Sequence, residues 1–187
     1  MRPRPSATAI LTGVALIVLP LLGVLLKLFS VGWILVVIIV SALIPLLLIL
    51  GYALQVVIAA TGFFSVRGPI QSTPVRRRAT IAAWTTSIAW VVACVFLVDG
   101  GDVDQGSTFQ VWFGLTEDLS GGHTASDVSS IVFLVAALVW LLAYVWLVVE
   151  WIVGWRLRVR PTEPVRPLPP VDSGDSGDVT DLFTSAS

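Results

Sequence analysis

Charged residues are scarce in this 187-residue chain: Asp, Glu, Lys and Arg make up 12% of it, and hydrophobic residues make up 56%. Soluble domains carry roughly 25% charged residues. The charges are also unevenly spread, because four runs without any charge, of 20 to 39 residues each, hold more than half of the chain. A soluble fold cannot remove so much charge-free sequence from water. The composition therefore excludes a wholly disordered chain, a coiled coil and a soluble enzyme, and it indicates a small multi-pass membrane protein.

Residues that carry catalysis or bind metals are scarce as well. The single cysteine, Cys94, falls inside a hydrophobic run, so the sequence predicts no intrachain disulfide and no redox motif. The single histidine, His123, has no second His or Cys at the spacing of a zinc site. No pair of carboxylates and no nucleophile–base couple is recognisable. We therefore predict no enzymatic activity, no cofactor and no metal site.

Four solid hydrophobic runs are long enough for membrane-spanning helices, which need about 20 apolar residues each. Strands of a membrane barrel would alternate apolar and polar residues, a pattern that these runs do not show. The sequence predicts an all-α, integral membrane four-helix bundle. Its transmembrane helices are expected at 8–29, 33–60, 79–98 and 129–152. Pro20 and Pro45 lie inside the first two helices and predict a kink in each.

The second hydrophobic run is too long for one upright helix and too short for two helices with a turn. It has 39 uncharged residues between Lys27 and Arg67. We interpret it as one long, tilted helix, and residues 61–66 either continue this helix or lie at the membrane interface. A split into two helices would place some basic segments on the opposite face from the others, so the charge distribution favours a single helix.

Basic residues are sorted between alternate segments of this arrangement. Only Lys27 is expected on one side of the membrane, and ten arginines are expected on the other. The positive-inside rule then places the cytoplasm at that second side. The cytoplasmic segments are residues 1–7, the basic loop 61–78 and the tail 153–187. The acidic loop 99–128 lies outside.

This orientation predicts a multi-pass protein of the cell membrane with both termini in the cytoplasm. The strong preference for arginine over lysine favours a bacterial plasma membrane. The tail is rich in proline and then in Asp, Ser and Gly, a composition typical of disordered segments.

Small and aromatic residues recur at helical spacing on two of the predicted helices. A candidate helix-packing face on the third is formed by Ala82, Thr86, Ala89 and Ala93. Packing inside the bundle is the favoured use of this face, and a dimer seam is the alternative. On the fourth helix, Trp140 and Tyr144 lie too deep for an interfacial aromatic belt, so they are expected to contact the bundle or a partner, whereas Trp151 and Trp155 belong to the belt.

Charged residues near the helix ends supply the other candidate contacts. Glu150 follows 19 uncharged residues of the fourth helix, and we expect it to form an interfacial ion pair with Arg156. Two clusters of arginines are candidate contacts for anionic lipids of the inner leaflet, although the same charges are also the ordinary topology signal. These clusters are Arg76, Arg77 and Arg78, and Arg156, Arg158 and Arg160.

These features favour a function without catalysis. The leading hypothesis is an accessory, scaffold or assembly factor whose helices bind another membrane protein or a second copy of this chain. The alternative is a small permease or channel for a neutral solute, monomeric or oligomeric, with Ser41, Gln55 and Thr85–Ser87 as its polar path. Coupling to protons or ions is disfavoured, because the helices nearly lack ionisable residues. No nucleic-acid partner is predicted.

Overall fold

The computed structural model describes residues 6–28, 32–33, 41, 43–65, 68–71, 73–100, 104–118 and 124–159. The described chain is mostly helical. Four of its helices are long and apolar enough to cross a membrane: Ala7–Lys27, Leu43–Phe63, Val75–Phe96 and Thr124–Leu157. A helical chain with four potential membrane spans is therefore confirmed.

The elements follow one another in a simple order. Helix α1 is Ala7–Lys27, and α2 is Leu43–Ile58, which continues as the π-helix Ala59–Phe63. A short 3-10 helix, Pro69–Gln71, precedes α3, Thr73–Phe96. Strands β1 (Asp99–Gly100) and β2 (Asp104–Gly106), helix α4 (Thr108–Phe113) and strand β3 (Glu117–Asp118) then lead to α5, Thr124–Val159.

The ends of the long helices differ from the predicted ends. Helix α3 begins at Thr73 rather than at 79, so Arg76–Arg78 lie in its first turns and not in a loop. Helix α5 has 36 residues and extends beyond 129–152 at both ends. The prediction ended each helix where charges interrupt the hydrophobic run. A helix can continue into water because its backbone hydrogen bonds are internal.

The kinks predicted at Pro20 and Pro45 concern helices α1 and α2. The described part of α2 begins at Leu43, and residues 34–40 of the predicted range lie outside the described residues. The π-helix extends the span to Phe63. Pro45 falls in the first turn of the described helix, and α1 continues through Pro20 as one helix. The two kinks stay predictions.

Contacts between the helices define the two ends of the bundle. Helices α1 and α3 run parallel. Trp84 Nε1 donates a hydrogen bond to the Thr12 hydroxyl, and Trp90 Nε1, further along α3, donates to the carbonyl of Pro20, further along α1. Helix α5 runs in the opposite direction, with Trp140 against Trp90 and Glu150 near Arg78. We call the end that carries β1–β3 and α4 the sheet end, and the end that carries Arg76–Arg78 the basic end.

A small folded cap covers the sheet end, in the segment predicted as an acidic loop. Three short antiparallel strands pair in the order β1-β2-β3, with Asp99 opposite Gly106 and Gln105 opposite Glu117. Helix α4 begins with a capping box between Ser107 and Gln110. It ends at Gly114, whose φ of 65° suits glycine because a side chain is disfavoured there.

The cap is fixed to α5 through Glu117. Its two carboxylate oxygens accept hydrogen bonds from the backbone N–H groups of Ala125 (2.9 Å) and Ser126 (3.2 Å). These N–H groups lie in the first turn of α5 and have no partner within the helix. A carboxylate at this position also interacts favourably with the helix dipole.

We expect Glu117→Gln to weaken this attachment, because it replaces the ionised acceptor by a neutral amide. The expected result is faster hydrogen exchange at the amides of Ala125 and Ser126, corresponding to a local loss of about 1 kcal/mol. Exchange in the middle of α5 should not change. Unchanged exchange at both amides would contradict the assigned cap.

A cluster of buried hydrophobic residues lies towards the basic end. Large buried side chains from α1, α2, the π-helix, the 3-10 helix and α5 meet there on the alanines of α3. The buried residues of this cluster are Ala9, Leu16, Ile58, Ala59, Phe63, Ile70, Ala79, Ala82, Ala83 and Leu147. Small residues allow the helices to approach closely, which is the main source of helix association in lipid.

Candidate functional site

A cavity of about 360 Å³ lies between α1, α2, α3 and α5, deep inside the spans. Leucine, isoleucine and valine form much of its wall, and aromatic side chains form the rest. The described residues that line it are Pro20, Leu21, Val24, Leu47, Leu48, Ile49, Gly51, Tyr52, Gln55, Trp90, Trp140, Leu141 and Tyr144. We call this the Gln55 cavity.

Aromatic donors bind backbone carbonyls around the cavity. Trp90 Nε1 donates to the carbonyl of Pro20 (3.1 Å), and the Tyr52 hydroxyl donates to the carbonyl of Ile17 (3.1 Å). Each of these two carbonyls of α1 has two lone pairs, so it can accept this bond beside the bond that it accepts within the helix. The Tyr144 hydroxyl donates to the carbonyl of Gly51 (3.0 Å). These bonds connect α1, α2, α3 and α5 at mid-depth.

The deep aromatic residues of α5 pack inside the bundle. The ring centroids of Trp90 and Trp140 are 5.1 Å apart, and those of Trp140 and Tyr144 are 5.9 Å apart in a stacked arrangement. Nearer the basic end, Trp151 Nε1 donates to the Thr61 hydroxyl (3.0 Å), and Trp155 is exposed. The sequence identified these positions on α5 but missed two of their partners, Trp90 and the carbonyl of Gly51, which belong to other helices.

Gln55 is the polar side chain of the cavity wall whose hydrogen-bonding capacity is not fully satisfied. It is only 5% exposed, and its amide nitrogen Nε2 has no hydrogen-bond partner. A buried, unpaired amide donor is costly, because in lipid there is no water to replace the missing acceptor. This is the type of unsatisfied group that marks a site for a missing partner.

The predicted packing face of α3 lies inside the bundle. Ala82 and Thr86 are fully buried, and Ala89 and Ala93 are buried to more than nine-tenths. The Thr86 hydroxyl donates to the carbonyl of Ala82 (2.8 Å) within the same helix. The burial of the whole face within one chain favours internal packing over a dimer seam.

The residues of the predicted polar path do not share one cavity. Thr85 lines a separate groove of about 720 Å³ between α3 and α5, which shares no lining residue with the Gln55 cavity. Thr86 is buried and bonds within its helix, and the hydroxyl of Ser87 is buried without a partner. Ser41 is half-buried and lines neither cavity among the described residues.

Glu150 pairs with a different arginine from the predicted one. Its carboxylate lies 3.5 Å from the Arg78 guanidinium and accepts a hydrogen bond from Trp146 Nε1 (3.1 Å). Among the described residues, the structure thus brings Arg78, and not the predicted Arg156, next to this carboxylate. Six residues of helix turn by about 600°, so Arg156 faces away from Glu150, whereas Arg78 comes from the adjacent helix α3.

A double-mutant cycle distinguishes the two arginines. We expect Arg78→Gln and Glu150→Gln to couple by about 0.5 kcal/mol, a small value because the Arg78 side chain is more than half exposed to solvent. The matched cycle with Arg156→Gln should show no coupling. Equal coupling in both cycles would contradict the assigned pair. The free energies are measured by unfolding in mixed micelles.

The candidate lipid-binding arginines lie at one end of the bundle. Arg77, Arg78 and Arg156 are exposed, and Arg76 is half-buried. Arg158 lies in the last turn of α5, and Arg160 lies outside the described residues. The structure thus brings the described members of the two clusters to the basic end.

A buried ion pair at the sheet end was not foreseen from the sequence. Lys27 Nζ lies 3.8 Å from a carboxylate oxygen of Asp99 and donates to the carbonyl of Leu97 (2.7 Å). Lys27 is 3% exposed and Asp99 is 6% exposed. The available signal was electrostatic: the one basic residue expected at this end faces a segment with six acidic residues.

Comparisons with known proteins give no further assignment. No protein family matches the chain, and no curated protein or solved structure is detectably similar to it.

Proposed function

We propose that this chain is a non-enzymatic accessory, scaffold or assembly factor that acts through contacts of its helices with another membrane component. The observation that carries the proposal is the unequal packing of the four spans. The most apolar 18-residue windows of α1 and α3 are 39% and 44% buried, whereas those of α2 and α5 are only 17% buried. Two of the four helices therefore present most of their surface outward.

Helix α2 is the better candidate for the contacting helix. Five consecutive residues, Leu46 to Leu50, are all exposed. Five helical residues cover about 500° of rotation, so every face of α2 at this level carries an exposed side chain. Its buried residues, Gln55 and Ile58, lie towards the basic end. The half of α2 near the sheet end is thus free to pack against a helix of another membrane protein or a second copy of this chain.

We further propose that the basic end faces the cytoplasm of a bacterial cell, with both termini on that side. The positions of Arg76–Arg78 and Arg156 at one end of the bundle support this orientation. Asp99, Asp104 and Glu117 lie at the other end. Exposed arginines at the basic end then contact anionic lipids, which contributes about 1 kcal/mol per residue near the surface.

Photo-crosslinking in native membranes tests the proposed contact. A diazirine amino acid at position 50 of α2 is compared with one at position 134, because Leu50 and Leu134 are similarly exposed on α2 and α5 and neither lines the Gln55 cavity. The proposal predicts an adduct of defined mass with one protein at position 50 and predominantly lipid adducts at position 134. Lipid adducts alone at both positions would contradict a protein partner on α2.

A permease or channel for a neutral solute is the second candidate function. The unpaired amide of Gln55, in a cavity at mid-depth, favours it. The separation of this cavity from the groove at Thr85 weighs against a continuous path. Solute flux into liposomes that contain the purified protein, compared with empty liposomes, decides the matter. Flux equal to that of empty liposomes for sugars, amides and polyols would exclude it.

A further inference from the structure

The Gln55 cavity combines an unpaired donor with walls that are otherwise apolar. Three other polar groups there, on Tyr52, Trp90 and Tyr144, already donate to backbone carbonyls. Gln55 Nε2 remains buried without an acceptor. An occupant that supplies an acceptor oxygen would remove the cost of this unpaired donor, and a purely hydrocarbon occupant would not.

The depth of Gln55 restricts the source of that oxygen. Gln55 lies 12 residues from Leu43, which is about 18 Å along a span of roughly 30 Å. The polar headgroup region borders the hydrocarbon core at its two surfaces, so an acyl chain of a phospholipid offers no acceptor at this level. The acceptor must belong to a molecule that dissolves in the core as a whole.

The size and the aromatic lining of the cavity favour an occupant that contains a flat ring. Its volume of about 360 Å³ corresponds to roughly a dozen water-sized groups. The stacked rings of Trp140 and Tyr144 form one wall, and aromatic faces pack well against other flat rings. Leu47, Ile49 and Leu141 line the cavity and are themselves exposed on the outside of the bundle, so a molecule dissolved in lipid can reach the site between α2 and α5.

We propose that the Gln55 cavity is a binding site for a lipid-soluble molecule in which a carbonyl oxygen is attached to a flat apolar ring system. The Gln55 amide donates to the carbonyl oxygen, and the aromatic wall contacts the ring. Leu47, Leu48 and Ile49 of α2 line this site and also belong to the surface proposed for the protein partner, whereas the buried Gln55 belongs to this site alone. Substitution of Gln55 therefore tests this site without changing the exposed partner surface.

Benzophenone is a suitable probe, because it has two aromatic rings and one carbonyl, and it crosslinks to nearby C–H bonds under light. The full chain in lipid nanodiscs is irradiated at increasing probe concentration, and the modified residues are identified by mass spectrometry. We expect saturable labelling of residues that line the cavity. Diphenylmethane has the same rings without the carbonyl and should compete roughly five-fold less well than unlabelled 4-methylbenzophenone, the difference expected for one hydrogen bond.

Two variants distinguish the contribution of the Gln55 hydrogen bond from that of the free volume of the cavity. Gln55→Leu replaces the amide by an apolar side chain of similar size and should raise the half-saturating benzophenone concentration about five-fold, so that the two competitors become equal. Val24→Phe keeps Gln55 but takes up part of the cavity, and it should weaken saturable labelling while the preference for the carbonyl-bearing competitor remains. Both variants are first compared with the original chain for helix content and monodispersity. Labelling spread over the exposed helix faces, or saturation unchanged by both folded variants, would overturn the proposal.

Discussion

Replacing Lys27 by methionine is expected to destabilise the bundle by about 3 kcal/mol, one of the two largest single effects that the structure predicts. Lys27 and Asp99 are both more than nine-tenths buried, with 3.8 Å between the ammonium nitrogen and a carboxylate oxygen. Removal of one partner deprives the other buried charge of this ion pair, and breaking such pairs typically costs 3–5 kcal/mol. The carbonyl of Leu97 also loses its donor.

The pair is best tested with a double-mutant cycle. Lys27→Met, Asp99→Asn and the double variant are unfolded by SDS in mixed micelles and monitored through the fluorescence of the eight tryptophans. The double variant should recover at least half of the loss, because it leaves no uncompensated charge. The exposed neighbour Leu28, changed to methionine, is the control and should have little effect. Additive single effects would show that the two charges do not interact.

Substitution of Gly154 by leucine should cost about 2–3 kcal/mol, because the backbone of the 3-10 helix lies against this glycine. A Cβ at position 154 would lie 2.5 Å from the carbonyl oxygen of Pro69 and 2.9 Å from its carbon. Both are backbone atoms of a segment packed between α3 and α5, so it cannot yield as a flexible side chain would. Overpacking of this kind typically costs 1–3 kcal/mol.

The helix propensity of residue 154 and its contact with Pro69 affect stability in opposite directions, which makes this test decisive. Replacement of glycine by alanine or leucine inside a helix is favourable by up to about 1 kcal/mol. A net destabilisation by Gly154→Ala and a larger one by Gly154→Leu therefore require the contact with Pro69. Val153→Leu, at the exposed neighbouring position, is the matched control. Stabilisation by Gly154→Ala, in the same unfolding assay, would contradict the close approach.

The helical membrane architecture could be predicted from the sequence because lipid imposes strong rules. A run of about 20 uncharged apolar residues permits few structures other than a spanning helix. The helix ends were less predictable. Helix α3 begins at Thr73, before three arginines, and α5 extends to Val159, since hydropathy reports where lipid ends rather than where backbone hydrogen bonding ends.

The sequence could predict that a helix face packs against neighbours where that face follows from the spacing of residues within one helix. It could not predict which helix packs there. The stripe Ala82, Thr86, Ala89 and Ala93 follows from helical spacing, and the structure buries it. The pairs Arg78–Glu150 and Lys27–Asp99 join residues that are 72 positions apart in sequence, so they depend on which helices are neighbours and in which direction they run. The charge pattern suggests that such pairs exist but does not choose the partners.

The Gln55 cavity shows the same limit. The sequence identifies Gln55 on one helix, and Trp140 and Tyr144 on another, as unusual residues at mid-depth. Their meeting with Trp90 depends on close approach of the helices around Pro20, where backbone carbonyls accept bonds from α2 and α3. Only the assembled bundle brings an unpaired donor and an aromatic wall to one cavity.

The central claim is that four helices cross the membrane and separate the sheet end from the basic end. Its most direct test is cysteine labelling in intact cells, with Cys94 replaced by alanine and single cysteines placed at 115 and 157, where Leu115 and Leu157 are exposed at opposite ends of the bundle. A membrane-impermeant maleimide added outside should label position 115, and position 157 only after permeabilisation. Equal labelling of both positions before permeabilisation would contradict the account.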